Sequence, residues 1–137
     1  MLFWLNLYIE FILELGMTTL IACLSTGKGT WGHVSRLLDG MSGEKWSKVI
    51  LITNDYGKEN FKAQEGVELI EVHELAGLEQ LRDEMKEKLK DKISLGEVAV
   101  NLVSGSGREH MALMSALMQL GVGFRLVAVL IEGVKEI

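Results

Sequence analysis

The sequence has no proline and one cysteine among its 137 residues. Without proline, the turns must depend on Gly, Asn and Asp, as in the segment 53–57. A single cysteine excludes an internal disulfide framework. Cys23 lies within the apolar run 20–24, which predicts a small buried core residue. A reduced, buried thiol is typical of a cytoplasmic protein, and we expect that location.

Positive charge is also scarce, because 14 Lys and Arg stand against 19 Asp and Glu and the net charge is −5. A protein that binds a long duplex through many phosphates needs a basic face to release counterions. Duplex nucleic acid is therefore not expected as a partner, whereas a small anion held by backbone amides and one or two cations is compatible with this charge. No group of His, Cys and carboxylates has the spacing of metal ligands, so we expect neither a metal nor a cofactor.

No apolar run is long enough to span a membrane, and no membrane partner is expected. The most apolar segment, residues 1–16, is too short and is interrupted by Glu10 and Glu14. It also lacks the positive start and the cleavage site of a secretory signal. We interpret residues 1–16 as a leading segment and expect Met17 to be the true start of a single domain, residues 17–137. The alternative is an amphipathic helix that packs on the sheet or on a partner.

Five apolar runs rich in β-branched residues predict strands in the remaining chain, and the segments between them have helical periodicity. The runs are 18–24, 48–53, 67–72, 97–102 and 124–131. Alternating strands and helices produce a parallel sheet with helices on both faces. We therefore expect an α/β fold, a Rossmann-like three-layer sandwich whose mostly parallel sheet has five or six strands in the order 3-2-1-4-5.

A first glycine-rich loop, residues 25–32, follows the first predicted strand. Gly27, Gly29 and Gly32 satisfy G-x-G-x-x-G, a spacing that allows the backbone to approach a phosphate closely before a helix begins. The loop is not a Walker A motif, which requires Ser or Thr where Gly29 stands. The alternative is that these glycines serve only the turn from strand to helix. The expected ligand-binding residues of this loop are Ser25, Thr26, Gly27, Lys28, Gly29 and Thr30.

A second such loop, residues 104–108, follows the fourth predicted strand. Arg108 adds a permanent cation with a planar fork of donors at the start of the next helix. Ser106 and Glu109 fit a capping box, which is compatible with anion binding and is also an alternative to it. We interpret His110 as a core or rim residue in preference to a catalytic base. The expected ligand-binding residues are Asn101, Ser104, Gly105, Ser106, Gly107 and Arg108.

The position of the two loops relative to each other is the strongest functional signal in the sequence. In a sheet of order 3-2-1-4-5, strands one and four are neighbours and the topology reverses between them. A crevice then opens at their carboxyl ends, and both loops would line it. If the glycines served only local turns, this shared position would be a coincidence.

Two segments of the sequence resemble a known family. The Asn-Leu-Val-Ser-Gly-Ser-Gly-Arg turn at 101–108 and the helix that follows resemble the last nucleotide-contacting segment of CARF domains, the CRISPR-associated Rossmann fold. The loop 25–32 is similar to the family's other ligand loop, and the likeness covers about residues 17–131. The resemblance implies a stand-alone domain that binds cyclic oligoadenylate, a messenger of antiviral defence, across a homodimer. Three departures are that Gly107 is an extra residue in the turn, that Arg108 stands where many members have Lys, and that no effector domain follows within these 137 residues.

The resemblance leaves open whether the ligand is only bound or also cleaved. Ring nucleases of the family position a ribose 2′-hydroxyl for in-line attack on its own phosphate without a metal, which requires orientation and charge stabilisation. For such chemistry the candidates are Arg108 for charge stabilisation and His110 for proton transfer, with Ser25 and Lys28 as further donors.

Two other classes of function also remain open. One is an NAD(P)-binding or other nucleotide-binding protein, in which Asp55, 23 residues after Gly32, would hold a ribose. The other is a non-enzymatic subunit whose surface helices recognise another protein.

Overall fold

A computed structural model describes residues 1–15, 17–24, 28–40, 46–93 and 96–137 of the chain. In this part of the chain the strands are β1 Thr18–Cys23, β2 Lys48–Thr53, β3 Val67–Glu71, β4 Glu97–Asn101, β5 Phe124–Leu130 and β6 Gly133–Glu136. The helices are α1 Leu2–Leu15, α2 Trp31–Leu37, α3 Asp55–Asn60, α4 Leu78–Leu89 and α5 Gly107–Gln119, with a 3-10 helix, Lys28–Thr30, before α2.

The strands form one sheet in the order β3-β2-β1-β4-β5-β6. The first five are parallel, and β6 returns antiparallel to β5 through a hairpin. The chain moves outward from β1 to β3 and then crosses back to β4, so that β1 and β4 are neighbours. The predicted Rossmann-like fold and strand order are confirmed, and the sixth strand is a short antiparallel addition at the edge.

Two hydrophobic cores lie on opposite faces of the sheet, because successive side chains of a strand point to opposite faces. In β1, Leu20 and Ala22 pack with α2, whereas Ile21 and Cys23 pack on the face that carries α4 and α5. Cys23 is fully buried and not in a disulfide, as predicted. Burial, together with the nearby charge of Glu109, raises the pKa of its thiol well above its usual range. The thiol is therefore a packing group.

Helix α3 forms where the sequence predicts only a turn. Asn54 caps it, because its side chain accepts a hydrogen bond of 2.9 Å from the backbone amide of Gly57. A Cβ on Gly57 would lie 1.8 Å from Oγ1 of Thr53, so the close approach of α3 to the end of β2 requires glycine. This approach fixes the carboxyl end of β2 next to that of β1, since Thr53 Oγ1 also donates to the carbonyl of Leu24 at 3.2 Å.

Helix α1 lies apart from the two cores. The side chains of residues 1–12 are all exposed, including Phe3 at 66% and Trp4 at 72%. In the described part of the chain, no helix has both the length and the apolar composition that a membrane span requires.

Candidate functional site

The carboxyl ends of β1 and β4 meet at the point where the topology of the sheet reverses, and Ala22 is paired with Asn101 there. We call the space at these two strand ends, together with the loops that follow them, the switch crevice. The two loops are in direct contact, because Thr30 Oγ1 donates a 2.7 Å hydrogen bond to Ser104 Oγ. Ser104 is fully buried. Residues 74 positions apart in the sequence thus come together in the way that the strand order predicts.

Asn101 ends β4 with its side chain almost completely buried, at 1% exposure. Its Nδ2 donates to the carbonyl of Val127 at 2.8 Å, and its Oδ1 accepts from the backbone amide of Val103 at 3.2 Å. The same Nδ2 lies 3.3 Å from Nε2 of His33. Asn101 therefore joins β4, β5 and α2 and orients the start of the loop to α5.

The loop between β4 and α5 is held tightly at Gly105, whose φ is +102°. A Cβ there would lie 2.8 Å from Cβ of Cys23 and 3.1 Å from Nε2 of His110. Ser106 then caps α5, because its hydroxyl accepts from the amide of Glu109 at 3.2 Å while the Glu109 carboxylate accepts from the amide of Ser106 at 3.1 Å. The predicted capping box is confirmed. Gly107 is the first residue of α5, with open space around its α-carbon among the described residues.

His110 stabilises this loop from the other side. Its Nε2 lies 2.8 Å from the carbonyl oxygen of Ser104. Because a carbonyl only accepts, Nε2 carries the proton and donates it. In this geometry Nε2 is not a base, so a role in proton transfer would require Nδ1 or a change of the loop. His110 as the candidate for proton transfer in ring cleavage stays a prediction.

Arg108 is exposed and its guanidinium contacts the loop between β3 and α4. Nη1 donates to the carbonyl of Glu74 at 2.6 Å, and Nη2 donates to that of Ala76. From the opposite side, Asn54 Nδ2 donates to Oε1 of Glu74 at 3.0 Å. The segment 74–76 therefore borders the site, which sequence reasoning did not anticipate. A guanidinium has five N–H donors, so these two bonds leave capacity for a phosphate.

The first loop is described only in part. Ser25, Thr26 and Gly27 lie outside the described residues, and Lys28 begins the 3-10 helix. Gly29 has open space where a Cβ would stand, as does Gly32 in α2. Among the described residues, the backbone at Gly29 is thus open on the side where a side chain would project.

His33 in the first turn of α2 is the main site residue that sequence reasoning missed. It is half-buried, and partial burial followed by the charge of Arg36 lowers its pKa below the usual value. Its only signal in the sequence is its place one residue after the G-x-G-x-x-G loop. In the described part of the chain, the site included, no three His, Cys, Asp or Glu side chains come together as potential metal ligands.

Fold and site together define a Rossmann-like α/β domain in which the segment before α2 and the β4–α5 loop contact each other at the topological switch point. No protein-family model matches the sequence, and no curated protein matches it. Among solved structures, the chain is similar to Enterococcus italicus Csm6 bound to cyclic hexa-2′-fluoro-hexa-dAMP, with a TM-score of 0.55, 15% sequence identity, and coverage of 84% of this chain and 34% of that chain. The chain thus spans about a third of the length of that protein. At this identity the likeness shows the fold alone.

Proposed function

We propose that this chain is a CARF-type domain that binds a cyclic oligoadenylate at the switch crevice. The observation that carries the proposal is the contact between Thr30 and Ser104, because it joins the two segments of the sequence that resemble CARF ligand loops. The fold of Csm6, whose structure was determined with a ring of six adenylate units, supports the same class of ligand. The resemblance and the structural likeness are separate observations, and both support the proposed class of ligand.

The ligand chemistry fits the groups at the crevice. A cyclic oligoadenylate presents phosphates that backbone amides, hydroxyls and a few cations can bind, which suits a chain with a net charge of −5. Arg108 is proposed as the charged donor, because bonds between a guanidinium and a phosphate are charge-assisted. The proposed ligand-binding residues are Ser25, Thr26, Gly27, Lys28, Gly29, Thr30, Asn101, Ser104, Gly105, Ser106, Gly107 and Arg108.

Slow cleavage of the ring is the second part of the proposal. The attacking 2′-hydroxyl belongs to the ligand: it loses its proton as its oxygen bonds to the adjacent phosphorus, the bond from phosphorus to the 5′-oxygen of the next nucleotide breaks, and that oxygen takes up a proton. The protein therefore needs to orient the ring and stabilise charge. Arg108, Lys28, Ser25 and His110 are the residues proposed for this step. Since none of the proposed groups acts through a metal, cleavage is expected to continue in EDTA.

We further propose a cytoplasmic homodimer in CRISPR-associated defence. Met111 and Met118 on α5 are 61% and 65% exposed, and they border a groove of about 420 Å³ that also contains His110. The groove begins at Gly107, so a second copy placed on it would lie beside the β4–α5 loop. Methionine-lined surfaces adapt readily to a partner. Sedimentation at micromolar concentration is expected to show twice the mass of 15.2 kDa, and a single-chain mass with and without ligand would contradict the dimer.

Binding is best tested with one substitution at two glycines. Gly29→Val places a side chain in the space proposed for the ligand. Gly123→Val makes the same change directly before β5, at the amino ends of the parallel strands and away from the switch crevice, where space is also open among the described residues. We expect Gly29→Val to weaken binding of cyclic tetra- or hexa-adenylate by about tenfold or more, equivalent to about 1.4 kcal/mol. Gly123→Val is expected to bind like the unchanged protein. Calorimetric titration and a thermal melt of each variant give the measurements.

The outcomes separate the competing functions. Equal weakening by both variants would indicate a general effect on the fold and contradict the crevice. Unchanged ligand after long incubation would retain binding and exclude cleavage, and a 2′-fluoro ring, which lacks the attacking hydroxyl, serves as the uncleavable control. If neither ring binds at tens of micromolar while a dinucleotide raises the melting temperature, the CARF proposal is wrong and the G-x-G-x-x-G loop is a cofactor fingerprint.

A further inference from the structure

The contact between His33 and Asn101 fixes the protonation state of the histidine. Nδ2 of Asn101 lies 3.3 Å from Nε2 of His33. An amide nitrogen donates and does not accept, so Nε2 of His33 must be the unprotonated acceptor. The imidazole is therefore neutral in this structure, with its proton on Nδ1.

Asn101 cannot adapt if that acceptor is lost. One amide hydrogen is used by the carbonyl of Val127 at 2.8 Å, and Oδ1 accepts from the amide of Val103 at 3.2 Å. Rotating the amide by half a turn would place Oδ1 against the Val127 carbonyl and Nδ2 against the Val103 amide, so that both bonds would be lost. The orientation seen in the structure is the one that satisfies all three partners of this buried side chain.

We propose that His33 is a positioning residue for the ligand loop: its neutral imidazole holds Asn101, and Asn101 holds the start of the β4–α5 loop at Val103. Protonation of Nε2 would make it a donor facing the Nδ2 donor of Asn101. The hydrogen bond between the two side chains would then be lost, and Asn101 would be released. The loop that follows contains Ser104 and Gly105, whose role as ligand-binding residues rests on the proposed function. Ligand affinity is therefore expected to fall when His33 is protonated.

The charges around His33 favour the neutral form at neutral pH. Partial burial and the positive charge of Arg36, on the same helix, lower the pKa of its imidazole. The strands packed near it present the Asn101 amide and the Val127 carbonyl, neither of which titrates. The charged residues of β4 and β5, Glu97 and Arg125, lie at the amino ends of these strands and pair there at 3.4 Å. Arg36 is therefore the charged residue that lowers the pKa of His33, and Lys28, in the 3-10 helix before α2, is a second cation on an element in contact with α2.

The contact can be tested without any ligand by NMR of the full chain. We expect the imidazole of His33 to show an unprotonated Nε2 at pH about 8, and the side-chain amide of Asn101 and backbone amide of Val103 to follow its titration towards pH about 5. In His33→Gln, these two signals should be independent of pH. His73→Gln is the matched control, because His73 pairs with Glu84 at 2.8 Å on the surface and its removal should leave both signals titrating. A protonated Nε2 at pH about 8, or Asn101 signals that do not follow His33, would overturn the proposal.

The link to the ligand is tested with the uncleavable 2′-fluoro cyclic hexa-adenylate over the same pH range. We expect the unchanged protein to lose about tenfold or more in affinity on acidification. His33→Gln, which keeps an acceptor, should bind equally at both ends of the range, and His33→Ala should bind weakly throughout, with melts confirming that each variant is folded.

An affinity that rises on acidification would show that His33 contacts phosphate as a cation, and identical pH profiles in the unchanged protein and His33→Gln would show no coupling. Either result overturns the proposal. Absence of binding by every variant would instead reject the proposed function, while the NMR titration still decides whether His33 positions Asn101.

Discussion

The two glycines of the β4–α5 loop differ in what the fold requires of them. Gly105 has a φ of +102°, and a Cβ added there would lie 2.8 Å from Cβ of Cys23, whereas a Cβ added at Gly107, at the start of α5, would have open space among the described residues. A left-handed backbone strains any residue with a side chain. The loop therefore depends on glycine at position 105 for its conformation, and position 107 is available to a ligand or to a larger residue.

We predict that Gly105→Ala destabilises the protein by about 2 kcal/mol or more. The substitution adds backbone strain at positive φ, and its Cβ would meet Cys23 at 2.8 Å and Nε2 of His110 at 3.1 Å. The His110 contact matters for the site, because it displaces the ring that donates to the Ser104 carbonyl. Urea unfolding at neutral pH gives the free energy of unfolding for comparison with the unchanged chain.

Gly107→Ala is the matched control, two residues further along. It lies within α5 at a φ that is not positive, with open space around it, so its stability should change by less than about 0.5 kcal/mol or increase slightly. Equal stability of Gly105→Ala and Gly107→Ala would contradict the assignment of Gly105 as the constrained residue of the loop.

Among the elements, the predicted strands lie within one residue of the observed ones because strands covered on both faces have uninterrupted apolar sequences. The run 48–53, for example, matches β2 at both ends. Helix α3 was missed because it has six residues and no apolar face of its own. Its cap, Asn54, and the tight position at Gly57 are typical of a turn in sequence and become helical only through contact with Thr53.

The candidate site was predictable in its loops and not in the groups that fix them. Glycine spacing and strand order predict that loops 25–32 and 104–108 meet, since both features are properties of the chain itself. The contact from His33 to Asn101 spans 68 residues, and that from Arg108 to Glu74 spans 34. Such pairings depend on how α2 sits over β4 and how α5 sits beside the β3–α4 loop, and no periodicity in the sequence encodes them.

At the scale of the whole molecule, the described side chains of α1 belong to neither of the two hydrophobic cores. Its side chains from residue 1 to 12 are exposed, so they remove little apolar area from water. Among the residues whose burial the structure describes, the first in the hydrophobic core is Leu20, which is fully buried in β1. We therefore expect stability to depend on the part of the chain that begins with this strand. The exposed side chains of α1 form an apolar surface of the kind that promotes association.

We predict that a chain beginning at Met17 folds as stably as the full-length protein. Its backbone keeps the bond of 2.9 Å from the amide of Glu97 to the carbonyl of Met17, and every core side chain that the structure describes as buried remains. The free energy of unfolding should therefore change by less than about 1 kcal/mol and the melting temperature by a few degrees. Leu20→Ala in the shortened chain checks that the assay detects core losses, because removing a fully buried leucine costs about 2 to 5 kcal/mol. If the shortened chain instead loses more than about 3 kcal/mol, α1 covers core surface in solution and belongs to the folded unit.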